Sequence, residues 1–157
     1  MKESINVALA QLAPVWLNKK LTLQKTEAAI SEAAAQKAHL IAFGETLLPG
    51  YPFWIELTDG ARFNSPVQKE LFSHYLKEAV NIHGGDLQSI CKLAKQHHIA
   101  VYLGCAERAV DRAAHSVYCS MVYIDSNGTI QSVPSGPGAA VALDRIVRHG
   151  DHTLHRS

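Results

Sequence analysis

The sequence predicts an α/β fold in which short buried strands alternate with amphipathic helices. An apolar run, Ile5–Leu12, precedes an alanine-rich segment with helical periodicity, and a second apolar run, Leu40–Phe43, follows that segment. A strand–helix–strand opening of this kind implies neighbouring strands with the helix covering one face. Further along, the turn Asp125–Gly128 joins two more predicted strands as a hairpin.

The predicted helices begin at residues whose side chains can cap free backbone N–H groups. These residues are Asn18, Ser65 and Asp86. The first helix is expected over 19–38. In the second, Ser65 and Gln68 form a capping box around Pro66, which suits the first helical position. A Gly-Gly pair at 84–85 separates the second helix from the third.

The remaining apolar segments predict three more strands, rich in branched and aromatic residues. They are Ile99–Ala106, Val117–Ile124 and Thr129–Val133. The predicted order is therefore β-α-β-loop-α-α-β-β-β.

Length and composition are those of one ordinary globular domain, or a large piece of one. The 157 residues carry a formal net charge of +1, which gives no reason to expect nucleic acid or an anionic membrane as partner. No apolar run approaches membrane-spanning length, and the first residues lack the pattern of a secretory signal. Three widely spaced cysteines, Cys91, Cys105 and Cys119, suit reduced thiols. We therefore predict a cytoplasmic protein.

The segment most informative about function begins where the second predicted strand ends. It is Phe43-Gly44-Glu45-Thr46-Leu47-Leu48-Pro49-Gly50-Tyr51-Pro52-Phe53-Trp54. A carboxylate, Glu45, directly follows a core strand, and an aromatic loop broken by proline and glycine follows the carboxylate. α/β proteins build their sites at such strand ends.

Residues 43–52 resemble the glutamate motif of the nitrilase (carbon–nitrogen hydrolase) superfamily, and of nitrilases in particular. Three other segments agree in order and spacing. They are the end of the opening strand, Gln11–Pro14, the strand Val101–Arg108, and the hairpin Tyr123–Ile130. The resemblance covers Ile5 through Val133.

The resemblance implies an α-β-β-α sandwich that associates into homo-oligomers and needs neither a metal nor an organic cofactor. It implies hydrolysis of a small nitrile or amide by a Glu-Lys-Cys triad, in which the glutamate is the general base, the cysteine the nucleophile, and the lysine stabilises negative charge. Carried over residue by residue, Glu45 is catalytic, and Tyr51, Phe53 and Trp54 belong to the loop that borders the substrate.

The sequence departs from the family after the hairpin. The family's triad lysine and cysteine should follow Val133, but the last lysine is Lys95 and the last cysteine is Cys119. We therefore predict an incomplete sandwich, with the amino-terminal half of a carbon–nitrogen hydrolase domain in residues 1–133 and an atypical, disordered tail in residues 134–157. A shift of reading frame near codon 133 would explain the change, and the chain alone would then be inactive.

Structural interpretations compete with the functional ones at several positions. Glu45 could cap amides of its own loop, and the aromatic residues after it could plug an edge of the core. Glu107, which follows a strand, could support the site through a hydrogen bond, but it better fits a surface ion pair with Arg108 or Arg112. Cys105 and Cys119, although they could act as nucleophiles, fit buried cysteines that behave as small hydrophobic residues.

Two further alternatives concern the chain as a whole. His149, His152 and His155 recur every three residues, but the absence of a nearby apolar stripe argues against a metal site there. The rival to a hydrolase by descent is a non-catalytic half-domain that pairs with itself or with another chain through exposed strands.

Overall fold

The computed structural model describes residues 4–60, 62–108 and 116–132. Its elements follow the predicted order, with one short helix added inside the aromatic loop. They are β1 Val7–Ala10, α1 Lys19–Ala35, β2 Leu40–Phe43, α2 Trp54–Leu57, α3 Pro66–Glu78, α4 Gln88–His97, β3 Ala100–Arg108, β4 Val117–Ile124 and β5 Ile130–Ser132. The predicted tail lies outside the described residues.

The five strands form one sheet in the order β1-β2-β3-β4-β5. β1, β2 and β3 run parallel, whereas β3, β4 and β5 pair antiparallel. α1 returns the chain between β1 and β2 so that they can run parallel, and the short turn that joins β4 to β5 makes that pair antiparallel. In that turn the Asp125 carboxylate accepts hydrogen bonds from the backbone N–H groups of Asn127 and Thr129, both at 2.9 Å.

One face of the sheet is covered by α1 and α4, which also contact each other. Five aliphatic strand residues on this covered face are at most 1% exposed: Ile41, Val101, Leu103, Val122 and Ile124. Full burial of an aliphatic side chain contributes about 1.5–3 kcal/mol, so this layer supplies much of the stability. Gly128, at φ +78°, is required here, because a Cβ added to it would lie 2.2 Å from the Cys91 carbonyl oxygen of α4.

Helix α1 begins as predicted at Asn18, whose side chain accepts a hydrogen bond from the Leu21 N–H at 3.0 Å. Its buried side includes two threonines that the apolar pattern did not single out, Thr22 and Thr26. Each is satisfied within the chain, since the Thr22 hydroxyl donates to backbone oxygens and the Thr26 hydroxyl donates to the Thr22 carbonyl at 2.9 Å. Both polar groups can therefore be buried without an unmade hydrogen bond.

Ser65 caps α3 as predicted, although the capping box is not closed, and the cap predicted at Asp86 is wrong. Ser65 accepts from the Gln68 N–H at 3.5 Å, but the Gln68 side chain donates to Thr58 instead of closing the box. Asp86 does not cap α4 at all. Its carboxylate accepts from the Asn81 N–H at 2.7 Å and from the Lys19 ammonium at 2.6 Å, because a loop between α3 and α4 brings it beside the start of α1.

The second face of the sheet is mostly uncovered. It includes Val7 and Leu9 of β1, which are 50% and 80% exposed, so the prediction that this strand is buried was wrong for one of its faces. The pleat places Tyr102 and Tyr123 on the same face, with ring centroids 4.8 Å apart. We call this surface, formed by Val7, Leu9, Leu40, Ala42, Tyr102 and Tyr123, the open face. None of the described helices is long and apolar enough to span a membrane.

Candidate functional site

Glu45 lies two residues beyond the end of β2, on a segment that β3 holds in place. The Leu48 N–H donates to the Gly104 carbonyl at 3.4 Å, and the Ala106 N–H donates to the Leu48 carbonyl at 2.7 Å. The chain therefore continues along β3 for a short distance after β2 has ended. This pairing fixes the backbone that carries the carboxylate.

The approach of this segment to β3 depends on Gly104. A Cβ added there would lie 2.3 Å from the Gly44 carbonyl oxygen and 2.7 Å from the Glu45 Cα, closer than van der Waals contact allows. Thr46 next to the carboxylate adopts φ +52°, which β-branched residues rarely do.

The Glu45 side chain has a partner on β4. The Cys119 thiol donates to Glu45 Oε1 at a distance of 3.0 Å. Cys119 faces Ala106 across the β3–β4 ladder, which brings it to the side of the sheet where the Glu45 segment crosses. Partial removal of the thiol from water, followed by the adjacent Glu45 carboxylate, raises the pKa of Cys119 to about 11. The thiol is therefore protonated at neutral pH and can donate.

Two cavities meet at this carboxylate, and both are lined by Glu45, Thr46 and Tyr51. The smaller, of about 260 Å³, is lined by five aromatic residues, by aliphatic residues and by Cys119. Its aromatic residues are Tyr51, Trp54, Phe72, Tyr75 and Tyr118. The larger, of about 640 Å³, extends along the end of β1 and includes Phe53. The site thus combines a carboxylate, a thiol and an apolar wall.

The aromatic loop is anchored from two sides. The Tyr75 hydroxyl of α3 donates to the Gly50 carbonyl at 3.1 Å, and the Trp16 indole donates to the Tyr51 carbonyl at 2.8 Å. Burial raises the pKa of Tyr75 to about 12, so this donor keeps its proton over the physiological range. Trp54 packs on Tyr75 with ring centroids 6.3 Å apart.

The structure brings together most of the residues that the sequence singled out. Tyr51 and Trp54 share the smaller cavity with Glu45, whereas Phe53 lines only the larger one. The sequence analysis assigned Cys119 to the buried cysteines, and that interpretation was wrong, because the residue is exposed and hydrogen-bonded to Glu45. To predict the contact between Cys119 and Glu45 from the sequence, one would have needed the register of β4 against β3.

The structure also decides between the alternatives that the sequence left for Glu107 and Cys105. Glu107 lies within β3, is 8% exposed, and accepts a hydrogen bond from the Ser120 hydroxyl at 2.6 Å, so the predicted surface pair with Arg108 is wrong. Arg112, its other predicted partner, lies outside the described residues. Cys105 is fully buried, as expected of a small hydrophobic residue, and burial raises the pKa of its thiol strongly.

The charged groups at the site are few. Among the residues described, neither cavity is lined by a lysine or an arginine. No group of three or more histidine, cysteine, aspartate or glutamate side chains in the described ranges could hold a metal ion. The three histidines of the tail lie outside those ranges.

The sequence matches the family described as "Carbon-nitrogen hydrolase" over residues 6–140. Among curated proteins, it is 36% identical over 126 residues to an arylacetonitrilase of Aspergillus oryzae and 40% identical over 126 residues to one of Aspergillus niger. Each alignment covers 80% of this chain and 34% of the relative. The chain therefore spans about a third of the length of these curated relatives.

Solved structures of the same superfamily have a similar fold. The carbon–nitrogen hydrolase of Helicobacter pylori G27 matches with a TM-score of 0.56 and 18% identity, over 86% of this chain and 41% of that one. A variant of the Nesterenkonia AN1 amidase from the nitrilase superfamily matches with a TM-score of 0.56 and 17% identity, over 88% of this chain and 47% of that one. At these identities the likeness concerns the fold alone.

Proposed function

Because the chain belongs to the carbon–nitrogen hydrolase (nitrilase) family, of which it corresponds to the amino-terminal part, we propose that it supplies the general base and the aromatic wall of a nitrilase-type active site. The observation that carries the proposal is the position of Glu45 at the end of β2, where two cavities meet. A carboxylate there can accept the proton of a thiol as the thiol attacks a nitrile carbon.

The proposed substrate class is a small nitrile with an aromatic group, hydrolysed to a carboxylic acid and ammonia. The smaller cavity is apolar and aromatic, with Tyr51 and Trp54 on its wall, and such rings pack well against another ring. The names of the relatives, arylacetonitrilases, support the same class.

We propose that this chain alone does not complete the reaction. In the family pattern, a lysine and a cysteine that follow the hairpin complete the triad, and this sequence has neither after residue 119. Without a cation at the developing charge, the site would lose several kcal/mol of transition-state stabilisation, about 3 for each missing donor.

Ammonia release from a panel of aliphatic and aromatic nitriles tests this proposal, with Glu45→Gln as the control. We expect no release from either protein. Release that Glu45→Gln abolishes would support nitrile hydrolysis but overturn the proposed inactivity. Substrate binding is tested separately, because an aryl nitrile in the smaller cavity should quench tryptophan fluorescence, and Trp54→Phe should remove most of that response. No quenching by any nitrile would count against the substrate class.

A second candidate function is self-association through the open face. Leu9, at 80% exposure, and Val7, at 50%, lie on the same face of the sheet as Tyr102 and Tyr123, and exposed apolar patches of this kind are typical of interfaces. Sedimentation velocity would detect the assembly, and Leu9→Glu should convert it to monomer. Leu57→Glu is a matched control, since Leu57 is 81% exposed but lies on α2 and is not one of the residues that form the open face. A monomeric wild-type chain would reject this candidate.

The proposal includes a reducing, cytoplasmic setting. The thiol beside Glu45 must stay reduced to donate its proton, and disulfides are rare in that compartment. Fractionation of cells that express the protein, followed by thiol labelling, would test the location.

A further inference from the structure

A third cavity, of about 260 Å³, lies where α3 begins, outside the site around Glu45. Two cationic side chains line it: Arg62, in the segment that precedes α3, and Lys69, in the first turn of that helix. Among the described residues that line this cavity, none is acidic. We call it the cationic cavity, and its charge makes an anion the ligand to consider.

Neither cation of this cavity is neutralised within the described part of the chain. The one ion pair found there, with a limit of 4.0 Å, joins Lys19 to Asp86. The Lys69 ammonium donates to the side-chain oxygen of Asn64, which is an uncharged partner. An ammonium has three N–H donors and a guanidinium has five, so most of the donors of Lys69 and Arg62 are left for a ligand. An anion between the two cations would also offset their mutual repulsion.

The wall of the cationic cavity indicates which kind of anion fits. Phe72 and Trp54 line it, and Phe72 is 40% exposed, so part of an aromatic surface lies beside the two cations. A guanidinium pairs with a planar carboxylate through two parallel hydrogen bonds. An aromatic ring attached to that carboxylate can pack against Phe72. Phe72 and Trp54 also line the smaller cavity beside Glu45, so the two cavities adjoin.

We propose that the cationic cavity binds an aromatic carboxylate, with the carboxylate held by Arg62 and Lys69 and the ring against Phe72. The acid product of the proposed nitrile hydrolysis belongs to this class. That role rests on the proposed function, whereas the binding rests on the cavity. The Glu45 carboxylate repels an anion from the adjoining cavity, and the two cations attract it to this one. A neutral nitrile and its acid therefore occupy different cavities.

Titration of the full chain with para-fluorophenylacetate, followed by fluorine NMR, tests this binding. Both cations are exposed, so the affinity should be modest, and fluorine NMR detects weak complexes. Arg62→Gln and Lys69→Gln should each weaken binding by about 10-fold or more. Lys92→Gln, at an exposed lysine of α4, is the matched control and should leave binding unchanged. The neutral analogue para-fluorophenylacetamide should bind at least about 10-fold more weakly than the acid. Circular dichroism of each variant checks that the fold is retained.

Several results would overturn the inference. They are no binding of the acid to the wild type, equal binding of the acid and the amide, or equal losses in Arg62→Gln and Lys92→Gln. If acetate or inorganic phosphate displaces the labelled acid as well as phenylacetate does, the cavity does not select an aromatic ligand. If Glu45→Gln strengthens binding and Arg62→Gln leaves it unchanged, the acid binds in the smaller cavity instead.

The proposed function fails in a different experiment. Quenching of tryptophan fluorescence by an aryl nitrile tests the smaller cavity, and Arg62→Gln should leave the affinity for the nitrile unchanged. If no nitrile binds, but the acid binds and Arg62→Gln weakens it about 10-fold, the substrate class is rejected and the carboxylate site is retained. Nitrile binding without any binding of the acid would reject the carboxylate site alone.

Discussion

The two faces of the sheet are made from the same strands but differ in what covers them. On the covered face, Leu103 and its neighbours lie under α1 and α4 and are excluded from water. On the open face, the aromatic loop and α3 cover only part of the sheet near Glu45, and Leu9 on the edge strand β1 is 80% exposed. The covered face is therefore a hydrophobic core, whereas the open face combines the candidate site with an exposed apolar surface.

This difference indicates where stability and function are located. Residues of the covered face should matter for folding and little for chemistry. Residues at the covered end of the open face should matter for the geometry of Glu45, and the rest of that face should matter chiefly for association. Four comparisons between variants test this division.

The largest effect is expected from the same substitution made on each face. Leu103→Ala opens a cavity in a fully buried layer and should lower the free energy of unfolding by about 2–5 kcal/mol. Leu9→Ala removes an exposed side chain and should change it by less than about 0.5 kcal/mol. Urea denaturation measures both. Similar losses at the two positions would mean that the open face is buried in solution.

Gly104→Ala should act where the Glu45 segment crosses the sheet. The new methyl group would meet backbone atoms of Gly44 and Glu45, so we expect a loss of about 1–3 kcal/mol. The displaced carboxylate should also let the pKa of Cys119 fall from about 11, which NMR of labelled cysteine would follow. Gly44→Ala is the control, since no atom lies within 4 Å of a Cβ added there. If the pKa of Cys119 is the same in Gly104→Ala as in wild type, Gly104 does not determine the geometry of the site.

Ser120→Ala tests a polar pair on the covered face. The buried Glu107 carboxylate would lose its 2.6 Å donor, and an unmade hydrogen bond to such a group costs about 1–3 kcal/mol. Ser126→Ala, in the β4–β5 turn, should be within about 0.5 kcal/mol of wild type. Thermal unfolding compares the two. Equal unfolding temperatures for the two variants would mean that the Ser120–Glu107 hydrogen bond does not stabilise the fold.

Tyr75→Phe should give the smallest effect, about 0.5–1.5 kcal/mol at neutral pH, from loss of the bond to Gly50. The raised pKa of Tyr75 fixes the direction in which the free energy of unfolding changes with pH. The pKa of Tyr75 is raised from 10.0 to about 12 in the folded state, so its contribution is complete below pH 10 and is lost as the pH rises to 12. Wild type should therefore lose more stability than Tyr75→Phe between pH 10 and 12. Parallel curves from denaturation at each pH would contradict the assignment.

Most of the element order could be predicted because local rules determine it. β2 and β4 have the predicted bounds, and α1 begins at the predicted cap, since apolar runs and capping side chains act within a few residues. The predictions that were wrong involve partners far along the chain. Asp86 bonds to Lys19 and Glu107 bonds to Ser120, and neither separation is visible in a local pattern.

The candidate site shows the same contrast between what local sequence determines and what distant contacts determine. The sequence by itself determined that Glu45 ends a core strand beside an aromatic loop, and its motif determined the family. Only the tertiary structure decided that Cys119, 74 residues away, donates to that carboxylate, and that Trp54 faces the same cavity while Phe53 lies in the other one. The physical reason is that strand type follows from local side-chain preference, whereas the meeting of two strands' side chains depends on the register that the whole sheet adopts.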